Sequence, residues 1–486
     1  MRANLTGGDE PVTWERSRAT VSRRVWLAIA LAMAALGFGL VTYGYWPGVM
    51  IDDTRWQYQQ VVENAYEDWH PPLMAWIWRR FAGIEPGPGP MLLVQLALYW
   101  GGIAMIAGWA CRAGRSRLGA AIVCVGFIPA PFALGGTVIK DCLMGGLLAS
   151  AVGLSLWRDH ARAGVIRWGV TAGALTMLLL AAAIRYNAFL ACLPLLLALF
   201  PQQFTRTKAR LFSTALCACL ALLSVGPAVI ALVDAERTGA EQSLIIFDLG
   251  GITEHSGINQ FPGNGIADPV AVNHRCYDPF EWDSYSDWAQ RPCPLGFSHF
   301  QATVDDQGLS PHLLWLRAIA AHPLAYSEHR LAHFNQSTWF LVPRGPDFTA
   351  WTNSVDNPWG FKVRGNPILG AINAFADAGA RTPIGWPVFW IAVALAMLIL
   401  GRSAKVRDIE LAVAASAFLY GAGYLVFGVA TGMRYYVWTI SGAGLGAVLV
   451  IGEIVCRRSF PTARAIVLAS AIVLVPTLLA VAARLA

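Results

Sequence analysis

Apolar residues in this chain recur in runs of bilayer-spanning length, at about 25–46, 91–111, 118–136, 142–157, 168–184, 188–201, 212–233, 384–401, 409–430, 438–456 and 465–483. Roughly 20 such residues cover the ~30 Å of hydrocarbon in a membrane. The first run, Val25 to Trp46, follows Arg2, Arg16, Arg18, Arg23 and Arg24 and has no small-residue cleavage site after it, so it reads as a retained first helix. Composition agrees. Charged residues make up 14% of the chain and mean hydropathy is +0.49, against roughly 25% charged in soluble domains. Water-soluble domains, disordered tails, coiled coils, small disulfide scaffolds and nucleic-acid readers are excluded. The expected fold is an all-α polytopic membrane protein with about 11 transmembrane helices and a mixed extracytoplasmic loop module after helix 7.

Loop charge sets the orientation, because cytoplasmic loops collect Arg and Lys. Alternate loops read Arg112/Arg115/Arg117, Arg158/Arg162/Arg167, Arg206/Lys208/Arg210, Arg402/Lys405/Arg407 and Arg457/Arg458/Arg464. Loops of the other parity hold single cations or long polar stretches. The N-terminus therefore reads as cytoplasmic and the C-terminus as external. Trp168 to Phe200 is apolar except at Arg185-Tyr186-Asn187. Two short helices with an outer turn keep that parity, whereas one long helix would leave an Arg at mid-bilayer at a cost of about 2.5 kcal/mol or more. The net charge of +6 rests on 36 Lys+Arg against 30 Asp+Glu, only four of the cations being Lys, and carries no functional weight.

The resulting division is a cytoplasmic tail over 1–24, a seven-helix membrane module over 25–233 that includes a first outer loop at 47–90, an extracytoplasmic module over 234–383, and C-terminal membrane helices over 384–486. The outer module has turn-rich runs at Asp248-Leu-Gly-Gly and Phe261-Pro-Gly-Asn-Gly and a helical stretch from about Pro311 to Phe340. Seven of nine cysteines sit in or beside apolar runs as small hydrophobes. Cys276 and Cys293 lie in the outer module, where an oxidising compartment permits a disulfide.

Chemistry-bearing residues gather at the outer ends of the helices. Asp52-Asp53 stands where helix 1 leaves the membrane. One acid suffices to cap a helix start, and two adjacent acids repel each other, which suits a general base or a cation site. His70-Pro71-Pro72 follows in the same loop, flanked by Trp56, Trp69, Trp76 and Trp78 as interfacial anchors. Lys140-Asp141 occupies a short outer turn after Gly135-Gly136-Thr137, Arg185 and Asn187 the next, and Arg434-Tyr435-Tyr436 a third. A local Lys140–Asp141 pair, with Lys140 reaching toward water, is the plainer reading of the first turn. Yet topological cations should avoid this side, and three of them at similar depth have the makings of a phosphate pocket with Asp52/Asp53 at its mouth. Glu254-His255, His274, Asp278, Asp283, Asp287 and His299 lie among the aromatics of the large loop. Acidic loops with Trp and Tyr platforms bind sugars or peptides, although most such residues simply keep an outer module soluble. Asn335-Gln336-Ser337 matches the short glycosylation acceptor pattern. Neither a nucleotide-binding glycine loop in convincing context nor a zinc signature is present.

Helix 1 followed by Asp52-Asp53, then His70-Pro71-Pro72-Leu73, and a large outer loop after helix 7 resemble the integral-membrane glycosyltransferases of the GT-C superfamily, which includes protein O-mannosyltransferases and bacterial aminoarabinose transferases. The resemblance implies transfer of a sugar from a polyprenyl-phosphate donor to a lipid, glycan or protein acceptor on the outer face of a bacterial inner membrane. It implies Asp52 or Asp53 as the catalytic carboxylate, acting as base or as ligand of a divalent metal ion (Mg, Mn or Zn) together with His70. Lys140, Arg185 and Arg434 would hold the donor phosphate, with His70, Asp141, Asn187 and Tyr435 in support. The implied partners are that donor, the acceptor and the bilayer, with no nucleotide cofactor and no nucleic acid. The main alternative is a transporter or lipid-linked-sugar flippase using the same cavity, which would normally show inverted repeats and helices broken at mid-membrane. Another outer-face transferase would need an activated Ser, Thr or His nucleophile, and no such set assembles from the sequence.

Overall fold

Each apolar run folds as helix, the one way a single segment in hydrocarbon can satisfy its own N–H and C=O groups. The structure is a computed structural model that describes residues 11–158, 160–161, 164–263, 265–343 and 350–485. The first ten residues of the expected 1–24 tail, and Arg162 of the second basic loop, lie outside the described residues. Helix α1 (Pro11–Tyr45) leads into two short helices, α2 (Asp52–Glu63) and α3 (Leu73–Ala82). The first membrane group continues with α4 (Gly89–Arg112), α5 (Ser116–Val125), α6 (Pro129–Leu134), α7 (Lys140–Arg158), α8 (Gly164–Ile184), α9 (Phe189–Leu199) and α10 (Lys208–Leu232). The outer segment holds α11 (Gln242–Ser256), α12 (Pro269–Cys276), α13 (Phe297–Asp306), α14 (Pro311–Ala321), α15 (Pro323–Thr338) and α16 (Pro367–Ala380). The chain closes with α17 (Pro387–Ser403), α18 (Asp408–Phe427), α19 (Val437–Arg457) and α20 (Ala463–Leu485).

Seven helices among the described residues are long and apolar enough to cross a bilayer, by length and composition, and α5, α9 and α17 are shorter apolar helices. With α7, they match the eleven runs of the sequence, and the protein is an all-α polytopic membrane protein. Helices α4 and α7 pack closely because Gly102 and Gly146 leave no side chain between them: a Cβ on either would strike the backbone of the other helix. The 118–136 run is not one helix. Ile128 is pushed out of the helical region ahead of Pro129 (ψ 128°), as residues before proline generally are. The chain then runs non-helically from Gly135 to Ile139 before α7 begins.

The outer module is helical rather than mixed. No strand occurs among the described residues, which contain two isolated parallel bridges, Val49 with Thr137 and Glu67 with Glu236. Asp248-Leu-Gly-Gly is no turn but the middle of α11. Its glycines serve close approach: a Cβ on Gly250 would overlap Tyr285, and one on Gly251 the ring of His329. The expected helix over 311–340 is two helices, split at His322 ahead of Pro323. Cys276 and Cys293 are disulfide-bonded, Cα to Cα 5.8 Å. Phe247, Tyr285 and Phe300 centre an apolar core separate from the membrane one, whereas Ala350, Val363, Leu369 and Ile372 pack into the membrane core.

Candidate active site

The non-helical 135–139 segment positions the site. Val49 N–H donates to Gly136 O (3.0 Å) and Val138 N–H to Val49 O (3.0 Å), so the first outer loop is sewn to the turn that precedes Lys140. The Gln95 amide bonds the carbonyls of Gly135 and Thr137, and the Thr54 hydroxyl that of Val138 (2.6 Å). Gly136 has no alternative residue, because a Cβ there would overlap the Tyr45 ring. These bonds set the first turn of α2 against the first turn of α7.

Asp53 and Asp52 consequently part. Neither makes a side-chain cap, since Ile51 is the cap residue of α2. Asp52 faces outward, 70% exposed, pairing with Arg55 at 3.4 Å. Asp53 points inward. Its Oδ2 meets Arg434 at 3.1 Å, Lys140 Nζ at 3.2 Å and His70 Nε2 at 3.8 Å. Lys140 Nζ also donates to His70 Nδ1 (2.6 Å), which fixes the imidazole as acceptor on that nitrogen. Burial alone would raise the proton affinity of Asp53, but Arg434, then Lys140, hold it well below the usual carboxylate range. Burial and the neighbouring Lys140 push His70 down to about 3, so it is neutral.

Lys140 does not pair with the adjacent Asp141. Asp141 pairs instead with Arg185, whose Nε donates to Asn187 Oδ1 (3.2 Å). Tyr435 joins the two halves: its ring centroid lies 5.0 Å from each of the Arg185 and Arg434 guanidinium carbons, and its hydroxyl accepts from Arg434 (3.0 Å). Of the residues singled out in the sequence, Asp53, His70, Lys140, Asp141, Arg185, Asn187, Arg434 and Tyr435 converge, and Asp52 does not. Among these converging residues three cations, Lys140, Arg185 and Arg434, face two carboxylates, Asp53 and Asp141, with His70 neutral.

That arrangement does not fit the divalent ion implied by the resemblance. Asp52 points away, the Asp53 oxygen is taken by two cations, and a lone pair of His70 is occupied by Lys140. Among the described residues no three His, Cys, Asp or Glu side chains form a metal-holding group.

The outer module reaches the same site. Asp248, fully buried, meets Arg330 (2.5 Å) and His329 (3.2 Å) and accepts from Trp315. Arg330 donates onward to Gly428 O (2.6 Å), and Trp282 N–H to Val429 O (2.9 Å). These bonds clamp the non-helical strap that leads to Arg434. Other polar residues of the large loop pair within the outer module, His274 with Glu254 at 2.8 Å, His255 with Glu328 at 3.6 Å and Asp287 with the Ser298 hydroxyl at 2.6 Å. Asn335-Gln336-Ser337 lies within α15 with Ser337 buried on the Tyr436 hydroxyl, a poor glycan acceptor. Asp248, His329 and Arg330 carry no signal of their own in the sequence, their partners lying 52 to 98 residues away.

No protein-family model matches the chain, and no curated protein matches it. Among solved structures it is similar to the crystal structure of ArnT from Cupriavidus metallidurans bound to undecaprenyl phosphate, at 14% identity over 88% of this chain and 77% of that one, with a TM-score of 0.32. The apo structure of the same protein aligns at 13% identity over 89% and 78%, again with a TM-score of 0.32.

Proposed function

We propose that the protein is a membrane glycosyltransferase that moves a sugar from a polyprenyl-phosphate donor to a hydroxyl of a lipid, glycan or protein acceptor on the extracytoplasmic face. The single observation that carries this reading is the convergence of Asp53, Lys140 and Arg434 at 3.1–3.2 Å, with Arg185 beyond Tyr435. In the reaction, the acceptor oxygen attacks the anomeric carbon while the bond from that carbon to the phosphate oxygen breaks. The phosphate departs with the electron pair, its charge held by Lys140, Arg185 and Arg434. Asp53 takes the acceptor proton.

At rest Asp53 is a weak base, since two cations stabilise its ionised form. A phosphate competing for Lys140 and Arg434 relieves that stabilisation, so donor binding raises the proton affinity of Asp53 when a proton has to be accepted. His70, neutral and bonded to Lys140, orients the ammonium group. Asp52 has no part in the chemistry, and the mechanism needs no metal ion.

The test is incubation of the purified protein with membrane lipids and polyprenyl phosphates carrying labelled sugars. Label in a new glycan or lipid supports transfer. Movement of intact donor across vesicles, with no new product from any sugar, identifies a flippase instead.

A further inference from the structure

The transferase reading seats the phosphate but not the sugar, and the inference that follows rests on that reading. Trp69 directly precedes His70 and packs against Trp282 (centroids 5.9 Å), Trp288 (5.3 Å, edge to face) and Phe297 (5.2 Å) of the outer module. Trp282 is buried, and its backbone N–H donates to Val429 O in the strap that leads to Arg434. Asp283 follows in the chain, close enough to feel the charges of both Arg434 and Asp53, and the Trp288 ring stands edge to face with Trp282 as well (centroids 5.4 Å). Burial pushes the Asp283 carboxyl above its ordinary range, against the pull of Trp288 and Arg434. A hydroxyl bonded to it would recover part of that burial cost.

Trp288 differs from its neighbours in being 57% exposed. Core packing explains Trp282 and Phe297 but not an indole with more than half its surface uncovered. A pyranose ring offers an apolar C–H face and an edge of hydroxyls. An indole covers the first, and a carboxylate accepts from the second. We propose that Trp288 and Asp283, backed by Trp69, form the subsite for a sugar ring beside the phosphate held by Lys140, Arg185 and Arg434. The ring belongs to the donor or to a glycan acceptor, whose chemistry is the same.

The test titrates the full-length protein in nanodiscs with farnesyl phosphate, and with farnesyl phosphates bearing glucose, mannose, galactose, glucosamine or arabinose. At least one sugar should tighten binding about tenfold. Trp288→Ala and Asp283→Asn should remove most of that gain, Trp288→Phe should keep part of it, and the affinity of the Trp288 variants for sugar-free farnesyl phosphate should stay within twofold. Because Trp288 is exposed, its truncation opens no core, and an unchanged unfolding midpoint verifies this. A second arm adds methyl glycosides of the same sugars at saturating farnesyl phosphate. Dependence on Trp288 confined to that arm assigns the ring to the acceptor. A sugar gain that survives both substitutions, or no gain in either arm, overturns the subsite. Failure of sugar-free farnesyl phosphate to bind the wild-type protein overturns the phosphate assignment instead.

Discussion

At its two ends the bundle buries the same inventory of charge, three cations and two carboxylates, but only one end leaves an acid partly exposed. At the Arg-rich end Glu453 is 0% exposed and collects Arg115 (2.5 Å), Arg407 (3.2 Å) and Arg457, while Glu410 shares Arg407 (3.0 Å). Both acids are sealed inside, while the cations range from 18% exposed at Arg115 through 31% at Arg407 to 47% at Arg457. That is a staple between the ends of α4, α18 and α19, with arginine stems lying along apolar surface. At the other end the cations are covered, at 11% to 16% exposed, Asp141 is sealed at 1%, and the acid Asp53 is the most open group at 22%. A buried ion pair is thus no sign of function by itself. An acid that stays partly exposed among its cations, as Asp53 does and Glu453 and Glu410 do not, separates a cluster that meets a ligand from one that holds helices together.

The strongest way to break this contrast is Asp53→Asn. Loss of the base should lower turnover by roughly 10²- to 10⁴-fold, with helix content and membrane insertion unchanged by circular dichroism and fractionation. Activity within tenfold of wild type would put Asp53 in the structural class of Glu453. The pH profile sharpens the same point. In the free protein Asp53 sits well below 3.8 and neutral His70 at about 3, so kcat/KM should show no acid limb from either group between pH 5 and 7. Once the phosphate has drawn off the cations, the acid limb of kcat should lie higher than that of kcat/KM. Stability separates the two residues. His70, with its folded value below 6.5, costs stability as pH falls from about 6.5 toward 3, whereas the contribution of Asp53 is lost only as pH falls from about 3.8 toward its depressed folded value.

Glu453→Gln should invert that pattern. Removing the buried acid leaves three arginines without their common partner, a loss on the order of 3–5 kcal/mol for a buried pair. It should be seen as a lowered unfolding midpoint in detergent, with turnover per folded molecule within about twofold of wild type. Collapse of turnover at an unchanged midpoint would show the Arg-rich cluster to be functional too.

Arg434→Lys tests the covered cations more gently. Charge is kept, but the planar fork that reaches Asp53, Tyr435 and an incoming phosphate is lost. The expected result is about a tenfold higher KM for donor with kcat reduced less. An unaltered KM would mean that Arg434 only holds Asp53 in place.

The bundle and the convergence of Lys140, Arg185 and Arg434 were legible in the chain because a bilayer restricts both conformation and depth. Helices are obligatory, and a cation on the cation-poor side is already anomalous. What stayed hidden depends on helix phase and distant contact. Asp52 and Asp53 are equivalent in sequence and differ only because Val49 and Val138 pair backbones, which rotates one acid inward. The pairing of Lys140 with Asp53 rather than Asp141 follows from the same stitch. Gly250-Gly251 reads as a turn in sequence, yet glycine also marks a close approach, and the approaching ring, His329, lies in another helix. Glu453 looked like one residue of an apolar run, since nothing local shows that three basic loops meet over it.

The smallest effect is the most specific check on that rotation. Asp52 is 70% exposed and its contact with Arg55 is an i,i+3 surface pair, worth about 0.3–0.5 kcal/mol at most. Asp52→Asn should therefore leave turnover, donor KM and unfolding midpoint close to wild type while its neighbour's substitution abolishes activity. A large loss at Asp52 would require α2 to turn by about 100° in the working state, since adjacent helical residues differ by one residue's rotation at 3.6 per turn. The stitch between Val49 and Val138 would then have to open for catalysis, and the outward acid, rather than the one now facing the cations, would be the base.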